Sequence, residues 1–267
     1  MKIYIRGGIG DFLQCIPYAT SNIDGNEFFI HTHFKGARDF FEEFGIQDAK
    51  YFYFQNPQEH DAGVDEILAF CNPKITTNFK ECPRTFYFDC QFSDEAIACA
   101  EDLANSFSEK KPIIGIHPFG SGFSKDIYSK FNLPIKFIPA ETIADLINKN
   151  RNYNFFIFGS PQELESWGLS GDFDGLVRFV SFSNIVNSLA CVKHCVKLLG
   201  TDSCFKTMSS SHKIKTYCLV GDFDDQTRDF YFIDEYVKDG FMKTFRYKNM
   251  EQQKSEVFDF FQRAIEE

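Results

Sequence analysis

The chain has 267 residues and a net charge of −10, and its 43% hydrophobic and 25% charged residues are ordinary for a globular protein of one large or two smaller domains. No apolar run approaches the roughly 18 residues that span a bilayer, and no signal peptide precedes the first strand pattern, so we expect a cytoplasmic protein. The acidic balance counts against nucleic acid as a partner, because phosphate contacts need basic side chains. Residues 1–130 alone carry 12 basic and 19 acidic residues.

Strand and helix patterns alternate along the chain. Strands are predicted at 3–6, 27–31, 50–54, 85–89, 112–117, 154–158, 176–181, 196–199 and 216–220. Helices are predicted at 11–21, 36–45, 93–107, 140–149, 161–168, 183–194, 203–211 and 250–265. The proline-containing stretch 55–84 is predicted as mixed loop and helix. The alternation predicts parallel sheets with helices on both faces.

A domain boundary is predicted at the short charged segment "SEKKP", which ends in proline just before a new strand. We therefore predict an α/β protein with two doubly wound Rossmann-like domains, 1–108 and 109–267, that face a central cleft. In such folds ligands bind at the carboxyl ends of the strands. Four polar segments follow predicted strands and are the candidates for the site: "RGGIGD", "HPFGSGFSK", "GSPQE" and "GTDSCFK".

The nine cysteines are dispersed and show no C-x-x-C spacing, which indicates buried small side chains in a reducing compartment. In "CVKHC", Cys191, His194 and Cys195 share one helix face, but no fourth ligand is near. Core packing is therefore the prediction there, and no metal site is expected.

The first candidate segment, "RGGIGD", joins a strand to a helix. Its glycines allow a tight turn or the close approach of a ligand to the backbone. Asp11 falls at the start of the helix, where a carboxylate is favoured as a cap. Two interpretations stay open at this point: Asp11 as a helix cap, or Asp11 as a catalytic carboxylate at the mouth of the cleft.

The second segment offers groups that bind an anion. Gly120, Ser121 and Gly122 can present backbone amides and a hydroxyl, and Lys125 adds a mobile positive charge. The spacing of a Walker motif is absent. A flexible polar loop with a solvated lysine is the competing interpretation.

The segment "GTDSCFKTMSSS" predicts a second anion site. Thr201, Asp202 or Ser203 can cap the helix that follows, and the free amides and dipole of this helix attract negative charge. Lys206, one turn further on, can reinforce the site. A capped helix without a ligand is the alternative.

Glu163, in "GSPQE", also has two interpretations. It lies in the first turn of a predicted helix, where an acidic residue is favoured electrostatically. It can equally hold a ribose hydroxyl, as acidic residues do in nucleotide-binding folds.

The order of these motifs resembles the heptosyltransferases of glycosyltransferase family 9, over residues 3 to about 224. The first family signature, roughly R-x-x-x-[LI]-G-D, is matched by Arg6, Gly10 and Asp11. The second, G-[LI]-H-P-G followed by S-K, is matched by Gly115, His117, Pro118, Ser124 and Lys125. The third, G-[ND]-[ST]-G, is matched by Gly200, Asp202 and Ser203, with Gly221 after the next strand. The chain departs from the family at Cys204 and Thr207, where the family has glycine and histidine.

The resemblance implies a GT-B fold and an inverting transfer of a sugar from a nucleoside diphosphate to an acceptor hydroxyl, without a metal or other cofactor. It implies Asp11 as the general base and Arg6, Gly8 and Gly10 as the acceptor-side loop. The donor-binding residues that it implies are Gly120, Ser121, Lys125, Glu163, Asp202, Ser203, Cys204 and Lys206. The implied acceptor is a surface glycan or a saccharide like that of lipopolysaccharide, so contact with a membrane surface stays open.

Two other functions are compatible with these motifs. One is a glycosyltransferase that acts on modified bases in DNA, which the acidic charge of the first 130 residues disfavours. The other is a non-catalytic relic that binds a nucleotide sugar, which the residues at Cys204 and Thr207 would explain. The helix at 250–265 is further expected to pack back across the first domain, as GT-B chains often do.

Overall fold

The computed structural model describes residues 2–21, 24–54, 75–77, 87–120, 137–171, 173–221, 236–250 and 252–267. Within these ranges, no helix combines the length and the hydropathy that crossing a bilayer requires. The predicted site residues Ser121 and Lys125 lie outside the described residues, as do the motif residues Gly122 and Ser124.

The first unit is a four-stranded parallel sheet of order β3-β2-β1-β4. Its strands alternate with two helices along the chain up to β3. The elements are β1 Lys2–Arg6, α1 Ile9–Thr20, β2 Glu27–Thr32, α2 Ala37–Glu43, β3 Ala49–Tyr53 and β4 Ile75–Thr77.

The second unit is a six-stranded parallel sheet of order β10-β9-β8-β5-β6-β7. Its strands are β5 Ile113–His117, β6 Asn154–Phe158, β7 Val177–Val180, β8 Cys195–Thr201, β9 Lys215–Gly221 and β10 Met242–Tyr247. The helices along this part of the chain are α3 Asp94–Asn105, α4 Ala140–Lys149, α5 Pro161–Trp167, α6 Ile185–Ala190, a 3-10 helix Cys191–His194, α7 Cys204–Ser211 and α8 Lys254–Glu266.

The predicted fold class, α/β with two doubly wound parallel sheets, is confirmed. The central strands have no polar face, as expected for parallel strands that are covered by helices on both sides. All five residues of β5 and all five of β6 are buried. Their apolar runs were the strongest strand signals in the sequence, and β6 has the bounds that its sequence predicts.

The last helix, α8, packs within the second unit. Its apolar face, which includes Val257 and Phe261, shares a core with Ile143 and Leu146 of α4. In addition, the Lys197 ammonium donates to the carbonyl oxygens of Ala264 and Ile265 near the end of α8. The expectation that this helix crosses back to the first unit is thus corrected, because the apolar stripe of α4 covers the face it would use.

Helix α3 precedes the predicted boundary but packs against α6 and the 3-10 helix. Ala96 and Ala100 of α3 are buried in one apolar cluster with Leu189, Cys191 and Cys195. The two cysteines are therefore core residues, as predicted for "CVKHC". The domain bounds 1–108 and 109–267 stay a prediction.

The structure corrects three predicted elements. Residues 87–89 of the predicted strand 85–89 are irregular, and the remainder of that strand lies outside the described residues. A strand, β4, occurs instead at Ile75–Thr77, inside the stretch predicted as loop and helix. The predicted helix 183–194 is divided into α6 and the 3-10 helix, which begins at Cys191.

Both sheets reverse their strand order next to the first strand of the unit. In the first sheet β1 lies between β2 and β4, and in the second β5 lies between β6 and β8. Gly200 of β8 pairs with His117 of β5, and a Cβ atom at Gly200 would collide with the carbonyl oxygen of His117. Glycine thus lets the two strands lie close together at the point where a doubly wound sheet forms its ligand crevice.

Candidate functional site

The turn after β1 places Asp11 over the backbone that precedes it. Gly7 has φ +139°, a backbone conformation that residues with a side chain rarely adopt, and a Cβ atom there would collide with the Asp11 carboxylate. The amide of Gly8 donates to Oδ2 of Asp11 at 3.0 Å. Asp11 therefore does cap its own helix, and its half-buried position at the carboxyl edge of the sheet is also compatible with a catalytic role.

The first turns of α1 and α7 are in contact, although α1 follows a strand of the first sheet and α7 a strand of the second. A Cβ atom built on Gly10 would lie 3.2 Å from Oγ1 of Thr207 and 3.7 Å from Cα of Cys204. Asp11 follows Gly10 directly in the chain. The structure thus brings the two strongest candidate segments, "RGGIGD" and "GTDSCFK", side by side.

Helix α7 is almost wholly buried, which is unusual for a helix of this polarity. Its buried residues run from Phe205 to Ser211 and include three serines and one lysine. Two of the three serine hydroxyls are satisfied locally: Ser209 Oγ lies 2.6 Å from Oγ1 of Thr216, and Ser211 donates to the carbonyl oxygen of Met208. The buried Ser210 hydroxyl has no hydrogen-bond partner among the described residues. This helix packs between the second sheet and α1, with its first turn at the crevice.

The residue before α7 is Ser203, whose hydroxyl lies 2.9 Å from Nδ1 of His117. This hydrogen bond joins the ends of β5 and β8 across the crevice. Burial lowers the pKa of His117 to about 3, so its imidazole is neutral at any physiological pH. His117 is a site residue that the motif contains but to which the sequence assigned no role.

Lys206 and Asp202 form an ion pair of 2.9 Å between the Lys206 ammonium and Oδ1 of Asp202. The Lys206 side chain is only 7% exposed, against 36% for Asp202. Burial lowers the pKa of Lys206, but the Asp202 carboxylate, with smaller contributions from Cys218 and Tyr236, outweighs this and the pKa lies above its usual value. The predicted donor-binding lysine is therefore charged and already paired inside the protein.

We expect Asp202→Ala to lower the free energy of unfolding by about 3 kcal/mol, because it leaves the buried Lys206 charge without its partner. The double variant Asp202→Ala/Lys206→Met should recover most of this loss, since it removes both charges. Urea denaturation measures both, with the exposed Asp145→Ala as control, expected within about 0.5 kcal/mol of wild type. A loss below 1 kcal/mol in Asp202→Ala would show that Lys206 is stabilised by other groups.

Glu163 closes a capping box at the start of α5. Its carboxylate accepts from the amide of Ser160 at 2.8 Å, and its own amide donates to Oγ of Ser160 at 3.2 Å. Burial raises the pKa of the Cys204 thiol to about 12, and the Glu163 charge adds to this. Cys204 is thus a neutral thiol and not a nucleophile.

The loop after β5 is anchored to β8. The Thr201 hydroxyl donates to the carbonyl oxygen of Phe119 at 2.6 Å, and Gly120 next to it is buried. Arg6 lies half-buried at the end of β1. Over the part of the chain that the structure describes, no group of three or more His, Cys, Asp or Glu side chains could hold a metal ion.

The fold formed by these two sheets is that of the family 9 glycosyltransferases, which confirms the resemblance at the level of fold. A family 9 glycosyltransferase from Veillonella parvula has a TM-score of 0.57 at 13% identity over 96% of this chain and 88% of its own. The ADP-heptose lipopolysaccharide heptosyltransferase II of Escherichia coli has a TM-score of 0.59 at 12% identity, covering 99% and 98%. E. coli heptosyltransferase WaaC with ADP has a TM-score of 0.55 at 12% identity, covering 100% and 98%. No protein-family model and no curated protein sequence matches the chain.

Proposed function

We propose that the chain is an inverting glycosyltransferase that moves a sugar from a nucleoside diphosphate to a hydroxyl of a saccharide acceptor, without a metal ion or other cofactor. The observation that carries the proposal is the contact between the first turns of α1 and α7 at Gly10. It brings the Asp11 carboxylate near the positive end of a helix dipole. The proposed reaction requires both, because the carboxylate acts as the base and the dipole stabilises the leaving diphosphate. Solved structures of this fold that contain ADP and ADP-2-deoxy-2-fluoro heptose support a nucleotide sugar as donor.

In the proposed reaction Asp11 takes the proton of the acceptor hydroxyl as its oxygen attacks the anomeric carbon. The bond between this carbon and the diphosphate oxygen breaks on the opposite face, and its electron pair leaves with the diphosphate. A single displacement of this kind inverts the anomeric configuration. In the proposed single displacement one carboxylate acts as base, so the reaction requires no second carboxylate as nucleophile.

The leaving diphosphate gains negative charge, which fixed dipoles and cations stabilise. We assign this role to the first turn of α7, from Ser203 and Cys204 to the buried Lys206–Asp202 pair, together with the amide of Gly120. Ser121 and Lys125, which are assigned from the sequence alone, complete the proposed phosphate site. Glu163 is proposed to accept a hydrogen bond from a ribose hydroxyl, either in place of the bond from the Ser160 amide or in addition to it.

The acceptor is proposed to lie on the β1 side of the crevice, against the loop from Arg6 to Gly10. The names of the solved relatives point to a lipopolysaccharide-like or other surface saccharide. A cytoplasmic location would fit such a role, since nucleotide sugars are intracellular substrates. The net charge of −7 over residues 1–130 continues to disfavour a DNA acceptor.

The decisive test is a mass-spectrometric screen in which the protein is incubated with a panel of nucleotide sugars, alone and with saccharide acceptors. We expect consumption of one donor and, with a suitable acceptor, a product whose new bond has the inverted configuration by NMR. Binding of a donor without any turnover would identify a non-catalytic relic of the fold. Product only with duplex DNA that carries modified bases would establish the nucleic-acid alternative.

A further inference from the structure

The residue at the start of α7 does not cap its helix. Three other helices described in the structure begin with a serine or asparagine, and each of these side chains accepts a hydrogen bond from an amide of its own helix. The distances are 3.3 Å for Ser93, 3.2 Å for Ser160 and 3.0 Å for Asn184. Ser203 occupies the same position before α7 and makes no such bond. A serine there is normally a strong cap, so something must hold its hydroxyl elsewhere.

The hydroxyl is held by His117. Nδ1 of this histidine lies 2.9 Å from Oγ of Ser203, and its ring packs against Phe205 and Phe119 with centroid distances of 4.5 and 6.0 Å. The imidazole is buried and fixed by aromatic contacts, so it can keep the hydroxyl in this orientation. Its low pKa means that the imidazole stays neutral and the bond persists across the physiological pH range.

The consequence concerns the first amides of α7. The first intrahelical bond runs from the amide of Thr207 to the carbonyl oxygen of Ser203, so the amides of residues 204–206 precede the helical ladder. A capping hydroxyl would accept from the second or third of these amides. With the hydroxyl turned to His117, the amides of Phe205 and Lys206 lack this capping acceptor, at the helix end where the diphosphate is proposed to bind.

We infer that His117 is a positioning residue, which diverts the Ser203 hydroxyl from its own helix and thereby leaves the first amides of α7 to the diphosphate of the donor. The inference rests on the proposed function for the identity of the ligand. It explains why a polar histidine ends the buried strand β5 next to the serine that lies between β8 and α7. It also separates two roles of Ser203: its carbonyl oxygen accepts the first hydrogen bond of α7, while its hydroxyl makes no bond to this helix.

The test is a double-variant cycle with ADP, UDP, GDP and CDP as probes, measured by calorimetry. His117→Phe frees the Ser203 hydroxyl to cap α7, and we expect it to weaken binding of the preferred diphosphate about tenfold, with little change for the matching nucleoside. Adding Ser203→Ala to His117→Phe should recover most of this loss, because alanine cannot cap. Ser203→Ala alone should lose less affinity than His117→Phe. His117→Asn, which keeps a hydrogen-bonding group near the Nδ1 position, should stay closer to wild type than His117→Phe.

Amide hydrogen exchange by NMR tests the same inference without any ligand. The amides of Phe205 and Lys206 should exchange about fivefold more slowly in His117→Phe than in wild type, and this protection should disappear in the double variant. If His117→Phe does not fold, His117→Leu takes its place without overfilling the pocket. Ser93→Ala is the control: it removes a true cap on α3 and should lower stability without changing diphosphate affinity.

Two results would overturn the inference. One is an affinity in the double variant as low as in His117→Phe, which would show that the imidazole or the hydroxyl touches the ligand directly. The other is unchanged exchange of the Phe205 and Lys206 amides in His117→Phe. A wild-type protein that binds none of the four diphosphates would contradict the proposed function instead, and the exchange experiment would still decide the role of His117.

Discussion

Asp11→Asn is expected to lower the turnover of the donor by about 10²- to 10⁴-fold while leaving diphosphate affinity nearly unchanged. Asparagine has the shape of aspartate but cannot take the proton of the acceptor hydroxyl. Its side-chain oxygen can still accept from the amide of Gly8, which Oδ2 of Asp11 now does at 3.0 Å. Because the bond to the Gly8 amide at the start of α1 is retained, the substitution isolates the proposed chemistry.

The measurement compares turnover and diphosphate binding in wild type, Asp11→Asn and a matched control. Asp94→Asn is suitable, since Asp94 is an exposed acidic residue in the first turn of α3, a helix that Ser93 caps. We expect the control to keep wild-type turnover within about twofold, as surface substitutions usually do. Wild-type turnover in Asp11→Asn, or loss of its fold, would reduce Asp11 to a structural cap.

The alternation of strands and helices was predictable because the second sheet is built from continuous apolar runs, of which "NFFIF" in β6 is the clearest. The strand β4 was not, because it has three residues and is defined by its pairing with β1, about 70 residues away in the chain. The edge strand β10 was also missed. Its sequence "MKTFRY" places Lys243 and Arg246 on an exposed edge, and such a strand has no apolar run.

The candidate site divides in the same way. Asp11 and Glu163 could be found from the sequence because both occupy the third position of a helix, a local feature with a recognisable pattern. The pairing of His117 with Ser203 could not be found, because the two residues are 86 positions apart in the chain. They come together only because β5 and β8 are neighbouring strands of the sheet. Lys206 was placed correctly on α7, and its four-residue spacing from Asp202 is visible in the sequence, but the burial of the lysine depends on the packing of α7 against α1 and the second sheet.

The contact between α1 and α7 leads to the second large effect, which is expected at Gly10. We expect Gly10→Val to lower turnover about 10²-fold, because an ångström of misplacement at a reacting group has an effect of this order. A Cβ atom at Gly10 would already lie 3.2 Å from Oγ1 of Thr207, and the two methyl groups of valine would extend toward Cα of Cys204, 3.7 Å away. Seven of the eight residues of α7 are buried, against six of the twelve residues of α1, so we expect α1 to move and Asp11 to move with it.

Diphosphate affinity should fall far less than turnover in Gly10→Val, since the proposed phosphate site lies on α7 and the second sheet. Thr207→Ala removes the nearest obstructing atom, so the double variant Gly10→Val/Thr207→Ala should recover part of the lost turnover. Thr207→Ala alone is the control and shows what the hydroxyl contributes by itself. Kinetics and calorimetry on the four proteins separate the effects. Equal losses of turnover and affinity in Gly10→Val would mean that the contact holds the donor site together, whereas wild-type turnover would mean that Asp11 does not depend on this contact for its position.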